Sequence, residues 1–175
     1  MRNTYALINL SNLEKNIKEI IQKYPYDYYF GVVKSNAYGH GFNCIKTMDQ
    51  AGINYFCVAT LEEALEVRGH TTKPILCFGY VNPSDINLVI KNNITLSIIS
   101  YDYYQELLSI NPKIKVHIKI NTGMNRFGIK DKNELKEVIT KLKESNIKVE
   151  GIYTHLATSG VNDPYYDKQI NNFKE

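Results

Sequence analysis

The sequence predicts a parallel α/β fold, and three observations carry that. Short apolar runs alternate with amphipathic segments from one end to the other. After an opening strand, six βα units can be counted. Gly39, Gly41, Gly79, Gly123, Gly128 and Gly160 all fall in loops just after strands. Strict alternation of strand and helix means parallel strands covered by helices. A closed (β/α)8 barrel takes about 250 residues, and this chain has 175. Two architectures therefore compete: a complete, open, doubly wound sheet of six strands, or a parallel (β/α)8 TIM-type barrel, incomplete, without its last two units. The last helical pattern reaches Glu175 with no stop signal, which favours the incomplete barrel.

The elements follow in order. A strand is expected over Tyr5 to Asn9. Ser11 and Glu14 then read as a capping box for a helix with Leu13, Ile17, Ile20 and Ile21 on one stripe. YYFGVVKS is a strand, 43–51 a helix and YFCVA a strand; Thr60 with Glu63 caps the next helix. PILCF is a strand, and Pro83 opens a helix containing Ile86, Val89 and Ile90. ITLSII is a strand, with helix around Tyr104, Leu107 and Leu108. KVHIKI is a strand, and 131–144 a helix with Leu135, Val138, Ile139 and Leu142 at helical spacing. KVEGIYTH is a strand, and PYYDKQINNFKE begins another helix.

Composition excludes several function classes. Hydrophobic residues make up 43% and charged residues 22%, a globular balance. A net charge of +3 is too small and too dispersed for a nucleic-acid or membrane surface. No apolar run approaches the roughly 18 residues of a membrane span, and the N-terminus lacks a signal-peptide layout. Cys44, Cys57 and Cys77 have no metal-ligand spacing and read as buried free thiols of a reducing cytoplasm; no metal site is expected. Among 21 basic residues only Arg2, Arg68 and Arg126 are arginine, the residue a lysine-rich chain still needs where a planar, two-pronged donor is required, so each is worth placing.

The polar candidates gather at strand C-terminal ends, where such folds place their active sites: Lys34, Asn36, Tyr38, His40, Asn121, Arg126, Thr154, His155 and Ser159. Alternation puts Phe30, Val32 and Lys34 on one face, inward in a barrel. A partly desolvated lysine favours its neutral amine, the form that condenses with an aldehyde. KSNAYGHG places a glycine-punctuated loop and the Tyr38 hydroxyl directly after it, which can receive a phosphate through backbone N–H groups and a phenol. In KVHIKINTGMNRFGI, Lys119 points to the interior if the apolar face meets the helices, and then needs a partner or must lose its charge, while Arg126 on its glycine-flanked loop suits a carboxylate or a phenolate. HExxH, GxSxG, Walker and GxGxxG patterns are absent.

GVVKSNAYGHG, NTGMNRFGI and IYTHLATSG, in this order, resemble the N-terminal barrel domain of bacterial alanine racemase, and TYALINLSNLEKNI is similar to its first strand and helix. The resemblance covers essentially the whole chain and implies that 1–175 is the N-terminal part of that barrel domain. It implies a fold-type III enzyme using pyridoxal 5'-phosphate to interconvert L- and D-alanine for peptidoglycan, as a homodimer in the cytoplasm. By the same resemblance, Lys34 is the Schiff-base lysine and one of two catalytic bases, and Tyr38 contacts the cofactor phosphate. Arg126 lies near the cofactor's phenolic oxygen and, with Met124, the substrate; His155 lies close to the pyridine ring; Lys119 matches a lysine carbamylated in many members. Asn121 and Asn125 stand where the family has aspartate and glycine, and Phe127 where it has leucine, departures that bear on substrate preference. The family's second base is a tyrosine in a C-terminal domain that this sequence lacks, so the chain alone is expected to be inactive or nearly so. The alternatives are a pyridoxal-phosphate-binding homeostasis protein and a racemase of another amino acid such as serine.

Overall fold

A computed structural model of the chain describes residues 4–175. Two compact units divide it, Met1–Leu76 and Cys77–Glu175. The first contains α1 (Leu10–Lys23), β1 (Phe30–Val32), a one-turn α2 (Lys34–Tyr38), a 3-10 turn (Phe42–Cys44), α3 (Ile45–Ala51), β2 (Tyr55–Val58) and α4 (Leu61–Arg68). β3 (Ile75–Cys77) stands at the border. The second contains a 3-10 turn (Pro83–Asp85), α5 (Ile86–Lys91), β4 (Ile94–Ile98), α6 (Tyr101–Ile110), β5 (Lys115–Lys119), α7 (Lys132–Lys143), β6 (Lys148–Tyr153) and α8 (Pro164–Lys174).

Strand order decides between the two expected architectures. The strands run β1-β2-β3-β4-β5-β6, in chain order, and β1 with β2, β4 with β5, and β5 with β6 pair in parallel. A doubly wound sheet reverses its order at a switch point; none is present here. Six successive βα units in sequence order are those of an incomplete TIM-type barrel. β2 and β4 are buried along their whole length, as parallel strands covered on both faces must be.

Each unit has its own apolar interior. In the first, Ile45, Phe56, Cys57, Val58, Ala64 and Val67 are fully buried; in the second, Leu96, Ile98, Leu107, Val116, Ile118 and Val138 are. Each large aliphatic or aromatic side chain among them contributes about 1.5–3 kcal/mol. All three cysteines are buried, and burial pushes the Cys57 thiol up. Arg68 meets its expectation as a planar donor: its Nη1 donates to the carbonyls of Thr71 and Lys73, at 3.0 and 2.9 Å.

Two expectations at the N-terminus are corrected. Residues 4–9 form no strand, and Tyr5 and Leu7 are exposed, because an isolated strand has no ladder to satisfy its backbone and no described residue pairs with them. The cap of α1 is Asn9, whose Oδ1 accepts from the Asn12 N–H at 3.0 Å. Ser11 is thereby inside the helix, and Glu14 pairs with Lys18 instead.

Candidate active site

In the first unit the site begins where β1 stops. Gly31 and Val33 are buried while Phe30 and Val32 are open, so the expected alternation holds and Lys34 continues the open face, itself half-buried. The backbone then turns left-handed. Ser35, Asn36, Ala37 and Tyr38 have φ of 54°, 54°, 51° and 52°, and Gly39 follows at 88°. Four consecutive side-chain-bearing residues in this region are rare, since each costs about 1–2 kcal/mol. Contacts that hold the turn offset that cost. Ala37 N–H donates to Val33 O at 2.8 Å, and Asn36 O accepts from Gly39 and Gly41 at 3.1 and 3.0 Å. Glu63 clamps it from α4, one carboxylate oxygen taking the Ser35 N–H at 2.6 Å and the other the Ala59 N–H at 2.7 Å. Thr60 does cap α4 through the Glu63 N–H, but the Glu63 side chain ties down the Lys34 turn rather than closing a capping box.

The turn sets Lys34 beside Tyr38, with the amine 6.0 Å from the ring centroid, and leaves Tyr38 62% exposed. It also corrects the expected phosphate cradle. The N–H groups of Ser35, Ala37, Gly39, His40 and Gly41 already donate within the protein, and a carboxylate stands at the turn's start.

In the second unit Lys119 ends β5 and is 5% exposed, buried as expected. Its ammonium lies 5.5 Å from the centroid of Tyr153 and 5.9 Å from that of Phe127, so two aromatic faces receive the charge. The loop that follows carries Met124, half-buried, and Arg126, exposed. The Asn121 Oδ1 shapes it by accepting from the N–H groups of Gly123 and Asn125, at 3.2 and 3.0 Å. An aspartate oxygen makes the same bonds, so this departure leaves the loop intact. Asn125 has φ 56°; asparagine tolerates the left-handed region better than other side-chain-bearing residues, which explains how it replaces a glycine. β6 ends at Tyr153, two residues short of the expected strand end. Thr154 breaks the ladder by donating its hydroxyl to Ile120 O at 2.9 Å, and His155 emerges exposed just beyond.

Sequence reasoning missed the helix face that holds this loop. Tyr165, Gln169 and Asn172 lie at i, i+4 and i+7 on one side of α8. The Tyr165 hydroxyl donates to Gly123 O at 2.8 Å, and the Asn172 amide to Thr122 O at 2.8 Å. Gln169 is fully buried. A polar stripe at helical spacing in the last segment was the available signal.

Consecutive parallel βα units in chain order define a protein of the TIM-barrel class. A family model described as alanine racemase, N-terminal domain, matches residues 8–175, and the chain belongs to that family. The alanine racemase of Listeria monocytogenes is 36% identical over 179 residues, covering 99% of this chain and 48% of that protein. The solved structure of alanine racemase from Bacillus anthracis with bound L-Ala-P matches with a TM-score of 0.90 at 35% identity, covering 99% of this chain and 47% of that one. That of Bartonella henselae alanine racemase with covalently bound pyridoxal phosphate matches with a TM-score of 0.84 at 26% identity, covering 95% and 51%. The chain spans about half the length of the curated relatives it matches.

Proposed function

We propose that this chain supplies the cofactor-bearing part of an amino-acid racemase that uses pyridoxal 5'-phosphate to interconvert L- and D-alanine. The observation that carries the proposal is the left-handed turn after Lys34. Backbone strain of this kind persists where surrounding contacts over-determine it, commonly at functional sites, and here it brings an amine and an exposed phenol side by side. The donor set suits the cofactor: an amine for the aldehyde, a phenol for the phosphate, a guanidinium for anionic oxygens and an imidazole for the ring. The Bacillus and Bartonella relatives, with L-Ala-P and pyridoxal phosphate, support the same ligands.

When bound, the cofactor withdraws electrons from the substrate Cα and makes its proton labile. Lys34 would hold the cofactor aldehyde through Nζ, and its amine is the base that would move the substrate Cα proton on one face. Tyr38 donates its hydroxyl proton to the phosphate. Arg126 would hold the cofactor's phenolic oxygen and the substrate carboxylate, with Met124 on the same loop, and His155 would serve the pyridine ring. Lys119, between the Tyr153 and Phe127 rings, would be the family's modifiable lysine. Racemisation takes a second group on the opposite face, so Lys34 is one of two bases. By the same resemblance the enzyme works as a cytoplasmic homodimer, and its D-alanine serves cell-wall synthesis.

One base suffices to exchange a proton without inverting the centre, which makes a direct test. The chain with pyridoxal phosphate, incubated in deuterated water with each enantiomer of alanine, is expected to exchange the Cα proton of one enantiomer faster than that of the other. Lys34→Ala should lower that exchange about 100-fold or more. Exchange unaffected by Lys34→Ala overturns the assignment, and faster exchange with serine than with alanine moves the substrate.

A further inference from the structure

The α8 face that touches both site loops forms a complete hydrogen-bond circuit. Gln169 Oε1 accepts from the Ala157 N–H at 2.7 Å. Its Nε2 donates to Thr122 Oγ1 at 3.0 Å and to His155 O at 3.1 Å. Because a backbone N–H can only donate, the amide orientation is fixed: oxygen toward Ala157, nitrogen toward the other two. Thr154 spends its proton on Ile120 O, so the hydroxyl proton between Thr122 and Thr154, 2.8 Å apart, belongs to Thr122. Donation therefore runs one way, from Gln169 to Thr122 to Thr154 to Ile120, and each hydroxyl accepts once and donates once.

This circuit spans two loops with different roles. Thr122 precedes Met124 and Arg126; His155 and Ala157 belong to the loop after β6. Gly123 shows how tightly α8 is applied: a Cβ there would lie 2.5 Å from the Tyr165 hydroxyl and 3.4 Å from Gln169 Cγ. The glycine of the TGM sequence is thus needed by the helix pressed against it. A buried glutamine with every donor and acceptor used is an expensive way to fill space, and a methionine would fill it as well.

We propose that Gln169 is a positioning residue that fixes the Arg126 loop to the His155 loop, with α8 as the strap. This deepens, and rests on, the reading of Arg126 and His155 as cofactor-facing groups. Gln169→Glu keeps the shape and the bond to Ala157 but removes the donors to Thr122 and His155. Tyr165→Phe removes one proton, that to Gly123 O, and serves where the first variant does not fold. Two readouts apply to the chain as it exists. Amide hydrogen exchange over residues 123–128 and 155–158 is expected to quicken about tenfold in Gln169→Glu, and less in Tyr165→Phe, while α7 keeps its protection. Pyridoxal phosphate affinity is expected to fall about tenfold in Gln169→Glu, and an osmolyte that restores the melting temperature should not restore it. Wild-type exchange in both loops of the folded variants, or affinity that returns with stability, overturns the proposal. If the wild-type chain binds no pyridoxal phosphate, the functional reading fails, and the exchange arm alone decides whether Gln169 couples the loops.

Discussion

The turn after β1 and the loop after β5 solve the same problem by opposite means. Residues 35–38 are held mainly by backbone: four left-handed residues whose N–H groups and carbonyls bond to Val33, Gly39, His40 and Gly41, with the Glu63 carboxylate and the His40 ring reaching in. The Asn121–Gly128 loop is held by side chains, with Asn121 from within and Tyr165, Gln169 and Asn172 from α8. Under the proposed roles, a lysine that keeps one bond to one ligand atom gains from a rigid backbone at its root. Under the same proposal, an arginine at the end of a long stem, serving two anionic oxygens, is placed by moving its whole loop. The first arrangement is sensitive to local conformation, the second to distant side chains.

The largest effect is expected at Gly128. Its φ is 115°, and a Cβ would lie 2.7 Å from Asn121 N and 2.9 Å from both Ile120 C and Lys119 O, all backbone. Gly128→Ala should cost about 3–5 kcal/mol in urea denaturation; a loss below about 1 kcal/mol would show that the loop yields freely and is not clamped. Gly123→Ala meets a side chain instead, and about 2 kcal/mol is expected. Tyr165→Ala in that background should recover about 1 kcal/mol, whereas strict additivity of the two changes would mean that α8 does not press on the loop.

His117 sharpens the comparison through pH. It is 7% exposed, in β5 opposite Gly151, where a β-bulge at β6 interrupts the register. A Cβ at Gly151 would come within 3.0 Å of the ring. Burial lowers its pKa from the ordinary 6.5, against an opposing pull from Glu150, which itself pairs with Lys115 at 3.2 Å and Lys148 at 3.8 Å. A group that resists protonation when folded binds more protons unfolded, so stability falls as pH drops through about 6.5 and levels off below the depressed value. His117→Asn should flatten that part of the curve, and an unchanged slope would place the acid sensitivity elsewhere. The smallest effect is expected at Ser35. Glycine there relieves about 1–2 kcal/mol of left-handed strain and loses about 0.5–1 kcal/mol to unfolded-state entropy, a net gain near 0.5 kcal/mol by thermal melting. A clear loss of stability would show that the serine side chain helps hold the turn.

Much of the frame could be read directly. The alternation of periodicities located all six strands and their helices, and strand order then chose between two folds that the sequence left open. The burial of Lys119 followed from strand alternation once the apolar face of β5 was set against the helices. The hand of the Lys34 turn was not legible, because Ser35, Asn36, Ala37 and Tyr38 carry no glycine, the usual mark of positive φ. One of the contacts that hold it comes from Glu63, 28 residues away in α4. Asn9 and Ser11 are both good caps, and only the extended backbone at Asn9 selects between them. The Gln169 circuit joins three segments far apart in sequence, so no local pattern contains it.

The most direct test of Lys34 as the cofactor-bearing amine is chemical. The chain is incubated with pyridoxal 5'-phosphate, reduced with borohydride, digested and mapped by mass spectrometry. The expected result is one phosphopyridoxyl label, on the peptide containing Lys34, and none on the equally lysine-bearing peptide of Lys119. Label spread over surface lysines, or concentrated at Lys119, would contradict the assignment of Lys34.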